Sequence, residues 1–292
     1  MKTTKGSLEQ GRFSIPYRRY GEHPNVLLCV SGILQTMAVW RAVAKRFSQH
    51  FSVIIFDMPG VGRSQILSGS AHVTVGEQIE VVHGLLQHAK PQGEVTLAGS
   101  SWGTTIAAAY AAEYPDAVQK LVLSSFGMQP NAEMKIIIER AEELYHARDF
   151  AAGAELIVGM FGQEIGLTYK RQIASQFENL SDANADAFYE HCRNILTLGH
   201  LKDAIDLTKI RARTLIVNGA EDRIIDLDDM WVAQQLIPHC ECMLIEGAGH
   251  FLHFEREEIL VDYQEFLLDL TPGNPVLGKQ QSPAAGLPPC SL

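Results

Sequence analysis

No window of the chain approaches the roughly 20 consecutive apolar residues needed to span a bilayer. The opening stretch, MKTTKGSLEQGRFSIPYRRYG, has no apolar core of the kind a secretory signal carries. The expectation is a soluble, cytoplasmic protein with no transmembrane segment. Cysteine is sparse: Cys29, Cys192, Cys240, Cys242 and Cys290 are odd in number and scattered, with no C-x-x-C pair. That argues against a disulfide framework or a zinc site. Cys240 and Cys242 form a C-x-C, but on a strand they share one face and simply pack. The basic residues form no long run, and 24 Lys and Arg against 34 Asp and Glu leave a net charge of −10. Phosphate binding needs a concentrated positive face, so nucleic acid is not an expected partner. Repeats of fixed period are also missing.

What is present suits a globular α/β protein. Hydrophobic residues make up 46% and charged residues 20% of 292 positions, enough for a large core. Six short apolar runs end in turns: VLLCVSG (26–32), SVIIFDMPG (52–60), EVTLAGSS (94–101), KLVLSSFG (120–127), TLIVNGAED (214–222) and CMLIEGAGH (242–250). Near-continuous Val, Ile and Leu of this length fits parallel strands covered on both faces. RFSIPYRRYG, before them, reads as antiparallel edge material, because Pro16 is tolerable only near an edge. Between runs the period lengthens. Thr74-x-x-Glu77 forms a capping box for a helix with Ile79, Val82, Leu85 and Leu86 on one stripe, and Ile259, Leu260, Tyr263, Phe266 and Leu267 give another. Strand and helix in alternation predict a doubly wound sheet with helices on both faces.

One interval breaks that rhythm. Residues 128–209 contain no convincing strand, only helical patterning such as NAEMKIIIERAEELYHARDF and DANADAFYEHCRNILTL. It reads as a helical lid over the strand ends, with additional core helices as the alternative. The expected organisation is a core of 12–127 and 210–270, a lid of 128–209, and a Pro- and Gly-rich, disordered tail of 271–292.

The stretch LAGSSWGTT carries the chemistry. Gly99-Ser100-Ser101-Trp102-Gly103 matches G-x-S-x-G, a sharp strand-to-helix turn that lifts a serine oxygen above the sheet. Positions two before and two after the nucleophile crowd the turn and must be small. With Ser101 central they are Gly99 and Gly103; with Ser100 central they would be Ala98 and Trp102, and the indole does not fit. A serine hydroxyl needs a base, oriented by a third group, and in this layout acid then histidine should follow later strands. TLIVNG is followed by Ala220-Glu221-Asp222 and CMLIEG by Ala248-Gly249-His250. The candidates are therefore Ser101, Asp222 and His250. Glu221 competes with Asp222, while Asp226, Asp228 and Asp229 fall on the next helix. His253 competes with His250, and His250-x-x-His253-x-Glu255 hints at metal ligation without enough partners; no metal or cofactor is expected. Asp57, at an earlier strand end, precedes the serine and reads as structural.

Attack on a carbonyl places negative charge on oxygen, which needs donors already in place. One is the backbone N–H of Trp102. The other should come from the loop in VSGILQ, with Ile33 first and Leu34 second, the latter also a substrate contact.

The motifs SG (31–32), FDMPGVGRS (56–64), GSSWG, NGAEDR (218–223) and GAGHF (247–251) resemble those of the α/β-hydrolase superfamily across about residues 12–270. SSWG, VNGAED, LIPHCECMLIEGAGHFLHFE (236–255) and the lid spacing resemble a narrower group: the synthases of the rhamnolipid lipid precursor (3-hydroxyalkanoyloxyalkanoates) and the 3-hydroxyacyl carrier-protein transacylases or thioesterases. The resemblance implies an acyl-serine intermediate and (R)-3-hydroxyacyl thioesters as substrates, carried by coenzyme A or an acyl carrier protein. Where that group usually has Asn-Gly and an Ala/Thr-rich stretch, this chain has Ser31-Gly32-Ile33-Leu34-Gln35-Thr36. An acyl-serine is resolved by water in a thioesterase or esterase and by an alcohol in an acyltransferase, the outcome depending on how far the lid excludes water. Ile136, Ile137, Ile138, Leu156, Ile157, Met160 and Phe161 are candidates to line an acyl tunnel or to form the lid's own core. Arg63, Lys135, Arg140, Lys170 and Arg171 are candidates for a carrier-protein landing patch. A general carboxylic ester hydrolase, or a ligand receptor with little turnover, are the alternatives.

Overall fold

The computed structural model describes residues 2–33, 35–161, 165–256 and 258–270. Strands β1 (Thr3–Gln10), β2 (Phe13–Tyr20), β3 (Val26–Val30), β4 (Ser52–Phe56), β5 (Gln65–Ile66), β6 (Val95–Ser100), β7 (Lys120–Ser124), β8 (Arg213–Gly219) and β9 (Cys240–Ile245) form one sheet. Its order is β1-β2-β4-β3-β6-β7-β8-β9, with β5 on β2. From β4 to β9 every neighbour is parallel; β1, β2 and β5 pair antiparallel. The six apolar runs are the six parallel strands, as their composition requires.

Alternate side chains along these strands feed opposite faces. Val26, Leu28, Val30, Leu97, Leu121 and Leu123 join one core, against α2 (Val75–Ala89) and α3 (Trp102–Glu113). Leu27, Cys29, Ala98, Val122, Leu215 and Val217 join the other. Helices α1 (Arg41–Phe47), α10 (Leu252–Glu255) and α11 (Ile259–Leu267) cover that face. The Thr74 capping box is present in full, Thr74 Oγ1 accepting from the Glu77 N–H and the Glu77 carboxylate from the Thr74 N–H.

Two boundaries differ from the sequence reading. The sheet begins at Thr3, not at residue 12: β1 pairs with β2 along its whole length, so β2 is not the edge. Pro16 is accommodated because β5 pairing stops at Ser14 and β4 pairing starts at Tyr17, leaving a gap on that flank.

Between β7 and β8 the described residues hold only helices: α4 (Ala132–His146), α5 (Phe150–Phe161), α6 (Leu167–Glu178), α7 (Asp182–Leu198) and α8 (Leu201–Ala204). They have a core of their own in Ile138, Tyr145, Ile157, Phe177 and Phe188. The interval 128–209 does not all pack into that separate core, however. Leu201 and Leu207 are buried in the main core, so its last turns return to the sheet. α7 is fastened to the loops below it: His191 Nε2 meets the Pro59 carbonyl at 2.9 Å and Asn194 Nδ2 donates to the Val73 carbonyl at 2.7 Å. α9 (Asp228–Leu236) lies between β8 and β9. The expected tail, 271–292 with Cys290, lies outside the described residues.

Candidate active site

Ser101 sits between the end of β6 and the start of α3 with φ 52° and ψ −126°, a strained conformation for a residue with a Cβ. The turn tolerates it because its neighbours are glycines. A Cβ on Gly99 would lie 2.5 Å from the Gly103 carbonyl oxygen, and one on Gly103 would lie 2.2 Å from that of Val30. The strained residue is thus Ser101, in the register the small positions demand.

The two later strand ends deliver its partners. Asp222 follows β8 by three residues and is fixed by its own N–H to the Gly219 carbonyl. His250 follows β9 by five; its backbone carbonyl accepts from Ser125 Oγ at 2.7 Å. His250 Nδ1 lies 2.7 Å from Asp222 Oδ2, and Nε2 lies 2.9 Å from Ser101 Oγ. The Asp222 side chain is fully buried, and its other oxygen accepts from the Ile224 N–H at 3.2 Å. A carboxylate so placed holds the imidazole in the tautomer that leaves Nε2 free to take a proton from the serine.

The competitors lie elsewhere. Glu221 is exposed. Asp228 and Asp229 are on α9, and Asp229 accepts from the Met128 N–H; Asp226 is not on that helix but in the loop before it, accepting from the Asp228 N–H. His253 contacts the Tyr263 hydroxyl at 3.1 Å and the Trp40 ring, and burial lowers its pKa to about 4. Asp57 accepts from the N–H groups of Met37 and Arg63 and ties two loops together; burial raises its pKa. Among the described residues there is no cluster of His, Cys, Asp and Glu that would hold a metal ion, and no helix long and apolar enough to cross a membrane.

Trp102 is the first residue of α3, where a helix leaves its N–H without an intrahelical acceptor. Its indole donates to Gln78 Oε1 at 2.8 Å, which keeps the ring buried beside the turn. The loop after β3 runs against the serine: a Cβ on Gly32 would lie 2.8 Å from the Ser101 Cβ. Gln35 Oε1 braces that loop by accepting from the Gly32 N–H at 3.0 Å. Ile33 lines the same cavity as Ser101. Leu34 lies outside the described residues.

That cavity has a volume of about 370 Å³ and opens onto Ser101 and His250. Ile137, Ile138, Ile157, Phe177, Phe188 and Ile195, from four helices of the insertion, form its wall. Ile136 does not; it is 65% exposed, because on α4 the inward stripe is Ile137, Ile138 and Ala141. Leu156 is half-buried outside the wall. The side chains of Met160 and Phe161 lie outside the described residues. A second, smaller cavity of about 70 Å³ meets the first at Ser101 and His250, and is walled by Gly127, Met128, Pro130 and Ile225. Of the basic candidates, Lys135 and Arg140 are on α4, Lys170 and Arg171 on α6, and Arg63 in the loop after β4; Arg140 pairs with Glu143.

Sequence reasoning missed Ser125 and the bracing role of Gln35. Ser125 follows a strand at the sheet's carboxyl edge, where ligands and catalytic groups gather, and that position was the available signal.

The family model for the alpha/beta hydrolase fold matches residues 25–148 and 161–257. An (R)-3-hydroxydecanoyl-ACP:CoA transacylase of Pseudomonas aeruginosa is 24% identical over 260 residues, 88% of this chain and 86% of the relative. A 2-hydroxy-6-oxo-2,4-heptadienoate hydrolase of Pseudomonas putida is 28% identical over 241 residues, 80% of this chain and 84% of the relative. Among solved structures, an alpha/beta hydrolase enzyme from a Medee basin deep-sea metagenome library superposes with a TM-score of 0.78 at 20% identity, covering 92% of this chain and 99% of the other.

Proposed function

The chain belongs to the alpha/beta hydrolase family, and we propose that it is a serine-nucleophile acyl-transfer enzyme acting on acyl thioesters through an acyl-Ser101 intermediate. The observation that carries this is the hydrogen-bonded chain Asp222–His250–Ser101, at 2.7 and 2.9 Å, on the wall of a largely apolar cavity of about 370 Å³. An apolar wall of this size suits an acyl chain, and the few polar groups at its end fix the reacting carbonyl. The (R)-3-hydroxydecanoyl-ACP:CoA transacylase relative suggests the substrate class: a 3-hydroxyacyl group on coenzyme A or a carrier protein.

In this reading Ser101 Oγ attacks the thioester carbon while His250 Nε2 takes its proton. The Asp222 carboxylate stabilises the imidazolium that forms. The carbonyl oxygen turns into the N–H groups of Trp102 and Ile33, donors whose individual loss typically lowers the rate by about 10²–10³. Collapse breaks the C–S bond, and His250 returns the proton to the departing thiolate. The incoming thiol, alcohol or water then repeats the steps in reverse. The insertion helices act as the lid, the large cavity holds the acyl chain, and the smaller one is the approach for the leaving group and acceptor. The second reading, in which water alone resolves the acyl-serine, is favoured by the hydrolase relative.

The experiment is product analysis with a panel of 3-hydroxyacyl thioesters and simple esters, each with thiol, hydroxyacyl and water-only acceptors, and Ser101→Ala as control. Transfer to a thiol or hydroxyl acceptor supports the first reading, and free acid alone the second. Products that persist in the Ser101→Ala protein would overturn both.

A further inference from the structure

One side chain grips both shoulders of His250. The Gly249 N–H donates to Glu255 Oε2, and the Phe251 N–H donates to Glu255 Oε1 at 2.9 Å. The first N–H belongs to the Ala248–Gly249 peptide group and the second to the His250–Phe251 group, so Gly249 and His250 lie between them. Glu255 is the last residue of α10, a single turn, and is half-buried. Burial raises its carboxyl pKa above the ordinary carboxylate range, opposed by those two N–H groups and by the charge of nearby His250, and reinforced by Asp222. Other ties on this loop act at single points: Arg256 Nη2 on the Gly247 carbonyl, the Glu221 N–H on the Ala248 carbonyl at 2.8 Å, and Ser125 Oγ on the His250 carbonyl. Asp222 holds the ring only at Nδ1. Each of these holds a single group, whereas the one Glu255 side chain spans Gly249 and His250.

Building on the acyl-transfer reading, we propose that Glu255 is a positioning residue for the proton-transfer step: its two oxygens hold the peptide groups on either side of the Gly249–His250 pair and keep Nε2 within reach of Ser101. The geometry requires a carboxylate. Two N–H donors need two acceptors, and an amide offers one acceptor and one donor, so glutamine turns one of the two bonds repulsive. The same negative charge faces the imidazolium formed during the reaction, alongside that of Asp222.

The test compares wild-type protein with Glu255→Gln by two readouts, after thermal unfolding has shown both to be folded. The first is the downfield proton resonance of the His250 Nδ1–H shared with Asp222, observed by NMR. The second is the rate at which a fluorophosphonate labels Ser101 as a function of pH. In Glu255→Gln the resonance should exchange with solvent faster. The labelling rate should fall on the order of tenfold to a hundredfold, the scale of a misplaced catalytic group. The acidic limb of the profile should move to lower pH, because a charge favouring the imidazolium has gone. An unchanged resonance with a wild-type rate and limb, even in a less stable protein, would overturn the proposal. Should Glu255→Gln not fold, Glu255→Asp is read the same way: the retained charge leaves the acidic limb in place, while the shortened reach lowers the rate, and a wild-type rate overturns the proposal. Failure of wild-type protein to label would overturn the acyl-transfer reading instead, and the resonance would still decide the role of Glu255.

Discussion

His250 Nε2 stands 2.9 Å from Ser101 Oγ although 149 residues separate the two in the chain. Neighbours in sequence shape each turn but do not bring the two side chains together. The serine is raised by a strained turn after β6, and the imidazole is lowered onto it by a loop after β9 that donates to Glu255 and accepts from Ser125 and Arg256. The parallel sheet brings both strand ends to one edge, which is where open α/β sheets gather their active groups.

Replacing Ser101 by alanine should lower acyl transfer by roughly 10⁴-fold or more, as loss of a nucleophile does, with the fold intact by circular dichroism. Ser100→Ala should leave the rate nearly unchanged, since Ser100 ends β6 and stands outside the hydrogen-bonded chain. Steady-state assays of the two variants side by side check the register of the turn; an inactive Ser100→Ala with an active Ser101→Ala would reverse it.

Asp222→Asn keeps the shape of the side chain and removes its charge. The histidine then loses both its tautomer and its partner for the imidazolium, so kcat should drop by about 10⁴. A drop confined to KM, with kcat preserved, would mean that Asp222 serves binding rather than proton transfer.

The apolar cavity should select by acyl length. Ile138 and Ile157 are buried on its wall, and tryptophan at either position fills space an acyl chain would take. Ile157→Trp should raise KM for long-chain donors while leaving acetyl donors at wild-type kcat/KM. Equal losses for both donors would place the acyl chain elsewhere.

Acid should weaken the fold through His253. Its pKa is lowered by burial to about 4 from an ordinary 6.5. Between those values the unfolded chain binds a proton that the folded chain does not, so stability falls as pH drops through that window and is regained above it. Melting temperatures measured across pH 4–7 should show a shallower decline for His253→Asn than for wild type. Parallel curves would assign the acid sensitivity to other groups.

The parallel strands and the serine turn could be read from residues because each is a local constraint. A run such as VIIF has no place except between two covered faces, and Gly99 and Gly103 leave one register for the strained serine. β1 was not legible: TTKGSLEQ is mostly exposed and carries little apolar signal, and its place depends on pairing with β2. The return of Leu201 and Leu207 to the main core was hidden for a related reason, since a four-residue helix is too short to display a period. On α4 three successive isoleucines look alike in sequence, and only the docked helix separates Ile136, facing solvent, from Ile137 and Ile138, facing the cavity. Glu255 appeared in the sequence as a fragment of a metal-like pattern. Its grip on Gly249 and Phe251 exists because α10 curls the chain back on itself.

The central claim is that the acyl group passes through Ser101, and peptide mass spectrometry after rapid acid quench of the protein with a 3-hydroxydecanoyl thioester tests it most directly. The peptide spanning residue 101 should carry the mass of one hydroxydecanoyl group, localised by fragmentation to Ser101 and absent from Ser101→Ala. An acyl group found on Ser100, or product formed at a steady rate while that peptide never becomes acylated, would contradict it.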